Sequence, residues 1–276
     1  MQLPTLTVRV SLLVAAIALA GCGKKPEQQK QAPNTLLILA PCGMEMPMDE
    51  LAQIFEKRNP GLDARVELEV AHATAKRILD GGLRPDVVVS PGGVELEGLI
   101  KAGLVAKNEL VPFGVYDLML FVPRANKGKV TNMDSLVQSS VTIIAVADPE
   151  KTSIGRYTKE ALVKKGLWDK LQDKIVITGS ASDTYAHVSR AKADASFAYR
   201  SCPLKTAPDK LQYSRVRILE EVPEDLYGPA HATAAAMVKA PNPAKAQEFL
   251  ELLVSEEGQA VFRKYDLPSL GTKDQK

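Results

Sequence analysis

The stretch Thr35-Leu36-Leu37-Ile38-Leu39-Ala40, running into Pro41-Cys42-Gly43-Met44, decides how the rest of the chain is read. Apolar at every position but the first, it suits a strand buried on both faces, the habit of parallel sheets covered by helices on either side. Beyond it, Met48, Leu51, Ala52 and Phe55 recur at i, i+3, i+4 and i+7. That spacing predicts a helix with Pro47 in its first turn and Asn59-Pro60-Gly61 as its stop. The alternation of Val66, Leu68 and Val70 predicts a second strand, residues 74–79 a short helix closed by Gly81-Gly82, and Asp86-Val87-Val88-Val89-Ser90 a third strand. Residues 94–102 follow as a helix with Gly103 as its stop. Strand and helix alternating in this way build an α/β lobe around a largely parallel sheet.

The pattern then restarts. Residues 116–122 form an unusually apolar strand ending at Pro123; strands over 141–147, 174–178 and 195–199 alternate with helices over 155–165 and 181–190. This predicts a second α/β lobe. Residues 201–212 read as a connection containing Pro and Lys, 216–219 and 232–238 as strands, and 244–265 as helix with a break near Glu256-Glu257-Gly258.

Composition narrows the function classes. The 276 residues are 45% apolar and 25% charged, the profile of a globular protein. A net charge of +2 offers no electrostatic footprint for nucleic acid. At the N-terminus, Arg9 is followed by apolar residues 10–20, a run shorter than the roughly 20 residues that a membrane-spanning helix needs. It ends in Leu19-Ala20-Gly21-Cys22, which resembles the lipobox of bacterial lipoproteins. Residues 1–21 are accordingly expected to be a signal peptide, Cys22 a lipidated mature N-terminus, and 22–34 a polar tether. The implied location is the bacterial cell envelope, facing the periplasm and held to the membrane by lipid. Two further cysteines, Cys42 and Cys202, fall in a compartment that permits disulfides, and both a bond between them and separate thiols are compatible with the sequence.

A longer resemblance runs in order from about residue 36 to 267. Ala147-Asp148-Pro149-Glu150, Gly155-Arg156-Tyr157, Lys159-Glu160-Ala161-Leu162 and Gly166-Leu167-Trp168 resemble a segment of the periplasmic solute-binding proteins of molybdate- and tungstate-type ABC transporters. Arg84-Pro85-Asp86-Val87-Val88-Val89-Ser90, Phe197-Ala198-Tyr199-Arg200-Ser201 and Ser255-Glu256-Glu257-Gly258-Gln259-Ala260 extend the match. The resemblance implies a two-lobed, type II-like fold with the ligand in a cleft between lobes joined by two crossing strands. Lobe 1 would comprise 35–115 and 205–276, and lobe 2 116–204. It also implies a monomer without a cofactor, partnered by an ABC permease and ATPase and holding a small oxyanion.

The residues that would meet that ligand follow position by position. In the first lobe they are Cys42, Gly43 and Met44 in the first turn, His72 and Thr74 in the second, and Ser90 and Gly92 in the third. Ser153, Ile154 and Ala181, at helix starts, and Tyr199 come from the second. Helix N-termini suit a small anion because their N–H groups are unpaired and their dipoles positive. Three departures weaken the oxyanion set: Gly43 stands near a family serine, the second turn keeps one hydroxyl and adds an imidazole, and Pro91 removes a backbone donor unless Gly92 or Gly93 replaces it. Losing two or three charge-assisted donors costs a buried dianion about 3–9 kcal/mol. The first turn looks more like a branch of the family that opens with a Cys-Gly motif.

Other readings stand beside this one. Cys42, Met44, Met46, Met48, His72 and Cys202 offer the soft donors that suit Cu(I) or Zn, although no close-spaced ligand pair is present. Another small anion is an alternative ligand for the same cleft, and the same lobes serve equally in a ligand-sensing module without transport. Arg156 would either face the cleft from its helix start or lie exposed on the helix. No nucleophile elbow, zinc-protease or phosphate-loop motif occurs, so the chain does not read as an enzyme. The oxyanion reading further requires a cleft walled by donors rather than by acidic groups.

Overall fold

A computed structural model of the chain describes residues 34–69, 71–200 and 215–265, together with 267 and 270. The expected signal peptide, Cys22, nearly all of the tether, and the 201–212 connection with Cys202 lie outside the described residues.

The opening stretch is strand β1 (Thr35–Pro41), buried on both faces as its composition requires. Alternate side chains go to opposite sides of the sheet. Leu36, Ile38 and Ala40 meet Met48, Leu51 and Phe55 of helix α1 (Glu45–Arg58) in one apolar cluster. Leu37 and Leu39 join Ile78, Leu83, Leu96 and Leu99 in another. The second cluster lies under α2 (Ala71–Leu79) and α3 (Glu97–Lys101). The remaining strands of this sheet are β2 (Asp63–Glu69), β3 (Val87–Ser90), β4 (Val111–Val115) and, far along the chain, β10 (His231–Ala236). Their order is β2-β1-β3-β10-β4, with β1 parallel to β2 and β3, and β10 antiparallel to both neighbours.

The second sheet repeats the plan. It contains β5 (Leu118–Pro123), β6 (Ile144–Ala147), β7 (Ile175–Thr178), β8 (Ala195–Tyr199) and β9 (Val216–Glu221) in the order β7-β6-β8-β5-β9. Here β6 is parallel to β7 and β8, and β5 is antiparallel to β8 and β9. Helices α4 (Ser153–Lys164) and α5 (Ala181–Ser189) pack on it. The last helices, α6 (Pro243–Val254) and α7 (Glu256–Lys264), return to the first lobe beside α1; Ser255 separates them and caps α7 by accepting from the Gly258 N–H. The two-lobed α/β architecture expected from the sequence is the one observed.

The chain crosses between lobes twice, from β4 to β5 through Tyr116 and Asp117, and from β9 to β10 through residues 222–230. The crossings are bonded to each other: the Tyr116 N–H donates to the Ala230 carbonyl at 2.7 Å and the Val222 N–H to that of Leu118 at 2.8 Å. Strand pairing corrects the division drawn from the sequence. Residues 216–221, grouped there with lobe 1, pair with β5 in the second sheet, so the return crossing follows Glu221. A six-residue strand with its own apolar side carries no local mark of which sheet edge it will extend. Strand β4 has no clear mark in the sequence because Pro112 and Gly114 interrupt its alternation.

Candidate functional site

The carboxyl ends of β3 and β6 face each other between the lobes. After β6, the chain turns through Asp148 to Thr152, which caps α4: its hydroxyl oxygen accepts from the Gly155 N–H at 3.1 Å and donates to the Asp148 carbonyl at 2.8 Å. Thr152 has extended backbone angles, φ −134° and ψ 137°, as an N-cap requires. Gly155 lets the first turn of α4 close against β6, since a Cβ there would lie 2.2 Å from the Ala147 carbonyl oxygen. The result is a rigidly held helix N-terminus with Ser153 wholly buried at its tip.

Across from it, β3 ends at Ser90, and the chain passes through Pro91-Gly92-Gly93 into a 3-10 turn (Val94–Leu96) that leads into α3. Gly92 lies directly against Ser153; a Cβ on it would be 2.2 Å from Ser153 Oγ. Glu95, buried, reaches over to α4: the Ser153 N–H donates to Glu95 Oε1 at 2.8 Å, and the Ser153 hydroxyl donates to Glu95 Oε2. The same hydroxyl oxygen accepts from the Val94 N–H at 3.2 Å. Burial pushes the Glu95 carboxyl above the usual carboxylate range, against the pull of its bonds to Ser153 and Ser90. The neighbouring Tyr157 hydroxyl is pushed up to about 12, first by burial and then by the charge of Glu95. One turn further along α4, Arg156 Nη1 donates to Glu97 Oε1 of α3 at 2.7 Å. Arg156 thus faces the cleft, and its charge is met there by Glu97.

A family model described as bacterial extracellular solute-binding protein matches residues 36–266. The chain belongs to that family. Among relatives, it is 26% identical over 260 residues to YvgL of Bacillus subtilis, named as a candidate ABC transporter substrate-binding lipoprotein, covering 94% of this chain and 96% of that one. It is 23% identical over 262 residues to the molybdate-binding protein ModA of Haemophilus influenzae, covering 93% and 97%. The fold matches that of the periplasmic molybdate-binding protein of Azotobacter vinelandii with a TM-score of 0.65 at 18% identity, over 84% of this chain and 98% of the other. The resemblance read from the sequence and these matches agree.

In this solute-binding protein, three of the residues expected at the ligand, Ser90, Gly92 and Ser153, meet between the lobes. Their donors are already engaged. The Ser90 hydroxyl donates to the Gly92 carbonyl at 2.7 Å and accepts from the Gly92 N–H at 3.3 Å, so Gly92 does not replace the donor that Pro91 removes. Tyr199 ends β8 and stacks on Tyr116 at the crossing. Met44 and Ile154 are buried in the apolar core, where their side chains serve packing. The tetrad Ala71-His72-Ala73-Thr74 is the first turn of α2 rather than a loop, and the Thr74 hydroxyl donates to Glu69 at 3.4 Å. Gly43 lies exposed in the 3-10 turn Cys42–Met44, which joins β1 to α1. The side chains of Cys42 and His72 lie outside the described set. Ala181 is the first residue of α5, half-buried behind Ser180, whose hydroxyl caps that helix by accepting from the Asp183 N–H at 3.1 Å.

Sequence reasoning missed Glu95. A buried carboxyl group stands between the lobes, beside the Ser153 donors rather than in their place. The sequence offered only a partial signal: in the helix read over 94–102, Glu95 precedes the apolar Leu99 by four positions, which puts the two on one face.

Proposed function

We propose that the protein captures a small oxyanion of the molybdate or tungstate class by closing its lobes on it, and hands it to a membrane permease and its ATPase. It is a binding protein rather than an enzyme, tethered through a lipid on Cys22 at the periplasmic side of the envelope. One observation carries the ligand class: the N-terminus of α4 sits between the lobes with the Ser153 N–H and hydroxyl both directed at a pair of acceptor oxygens, those of the Glu95 carboxyl group. A pair of donors on a 12-residue helix suits a tetrahedral oxyanion equally well. The names of the molybdate-binding relatives support the same reading. An anion bridging both lobes favours closure by its differential contacts.

The test is a ligand panel on the soluble form lacking residues 1–22: molybdate, tungstate, sulfate, phosphate, Zn(II) and Cu(I), followed by thermal shift and by the fluorescence of Trp168, the single tryptophan. At a hundredfold excess over Kd, a specific ligand adds about 2.7 kcal/mol of stability. A response to the oxyanions supports the reading. A response only to thiophilic metals transfers the function to Cys42, His72 and Cys202. Among the described residues, no group of three His, Cys, Asp or Glu side chains is arranged to hold a metal.

A further inference from the structure

We propose that Glu95 is a resident carboxyl ligand of the cleft. Its two oxygens take the seat at the N-terminus of α4, clasp the two lobes together when no ligand is bound, and must be displaced by any oxyanion that binds there. The clasp goes beyond the proposed function. Only the displacement rests on that reading, through its premise that α4 receives the ligand.

The geometry is that of a ligand contact made from within. Glu95 belongs to the first lobe and Ser153 to the second, 58 positions apart, yet both oxygens of the carboxylate are bound by the one serine. Ser153 Oγ accepts from the Val94 N–H of the first lobe, so its own proton is directed at Glu95. The bare Cα of Gly92 lets Ser153 come this close. Each donor has a single proton, so an oxyanion and the Glu95 carboxylate cannot both hold them. Because Glu95 is attached to the protein, it competes at a high effective concentration. The measured affinity of an oxyanion is then the intrinsic affinity reduced by the fraction of molecules unclasped. Weakly bound anions are thereby excluded, and the cleft responds to those that bind strongly enough to evict a carboxylate.

Two substitutions separate the clasp from the seat. Glu95→Ala removes the resident carboxyl group and leaves the donors. Ser153→Pro removes both donors at a position, the first of a helix, where proline is tolerated. Circular dichroism confirms folding, and Glu95→Met, which keeps the length of the side chain and removes both oxygens, takes the place of Glu95→Ala if that variant is unstable. Small-angle X-ray scattering without ligand is expected to show both variants more open than the wild type. In calorimetric titration, molybdate, with sulfate as a second probe, is expected to bind Glu95→Ala about tenfold or more tightly than the wild type, and Ser153→Pro more weakly. Scattering curves for the Glu95 variant that match the wild type overturn the clasp. An oxyanion that binds the wild type and binds Glu95→Ala no better overturns the displacement. If neither probe binds wild type or variants, the oxyanion reading fails, and scattering alone decides the clasp.

Discussion

Tyr116 and Tyr199 stack where the lobes join, with ring centroids 4.2 Å apart and planes 17° from parallel. Tyr116 lies on the first crossing and is bonded through its N–H to Ala230 on the second, while Tyr199 closes the strand beside β5. The stack therefore ties both crossings to the second sheet. Truncating a buried aromatic costs about 3–5 kcal/mol, and a stacked pair is worth roughly 0.5–1.5 kcal/mol beyond its buried area. Tyr199→Ala is expected to lower the urea midpoint sharply, and Tyr199→Phe to leave it nearly unchanged. The Phe variant then isolates the hydroxyl: if Tyr199 touches the ligand, oxyanion affinity falls while stability does not.

Glu95 makes stability depend on pH with a definite sign. Its folded-state pKa is raised above the ordinary value of 4.5, chiefly by burial, so the folded protein holds this proton more tightly than the unfolded chain does. The contribution is fully present below the ordinary carboxylate range and is lost as pH rises through the elevated value. The titratable neighbour Tyr157 ionises only at about 12, outside that window. Melting temperatures of wild type and Glu95→Gln, compared over roughly pH 4 to 8, are expected to differ by an amount that changes as pH rises above the ordinary carboxylate range, with the variant losing less stability. Parallel curves would remove Glu95 from the pH response.

Gly155 is required by contact rather than by backbone angle. A Cβ there would meet Ala147 O at 2.2 Å and the Asp148 backbone at 2.7 Å, neither of which moves without displacing β6 or its turn. Gly155→Ala is expected to cost about 1–3 kcal/mol and to shift the α4 N-terminus. Chemical denaturation checks the first effect, and loss of oxyanion affinity beyond that of a distant variant of equal stability checks the second.

Asp86 is a structural carboxylate. It is fully buried at the edge of β3, and accepts from the Leu37 N–H at 2.8 Å and from the Asn242 N–H at 2.6 Å, joining β1 to the start of α6. Bonds to a charged group contribute about 1.5–3 kcal/mol each. Asp86→Ala is expected to destabilise the first lobe by several kcal/mol, and Asp86→Asn, which keeps one acceptor, by less. Equal losses in denaturant titrations would argue against a role for the second bond.

The fold was largely legible because its elements announce themselves locally. The apolar run 35–40 became a strand buried on both faces, and Met48, Leu51, Ala52 and Phe55 became the buried face of α1. The helices expected over 155–165 and 181–190 became α4, which starts two residues earlier at Ser153, and α5, which starts at Ala181. The candidate site was less legible. Met44 and Ile154 follow the expected order along the chain but turn into the core, and Thr74 sits one turn inside a helix that begins earlier than its apolar spacing suggests.

By itself, the amino-acid sequence determined the two α/β lobes and the family, because helix and strand periods and ordered motifs are properties of neighbouring residues. Only the tertiary structure decided which sheet β9 extends, which turns meet between the lobes, and that Glu95 reaches the donors of Ser153. Those outcomes depend on residues tens of positions apart being brought within hydrogen-bond distance, and no local pattern encodes that separation.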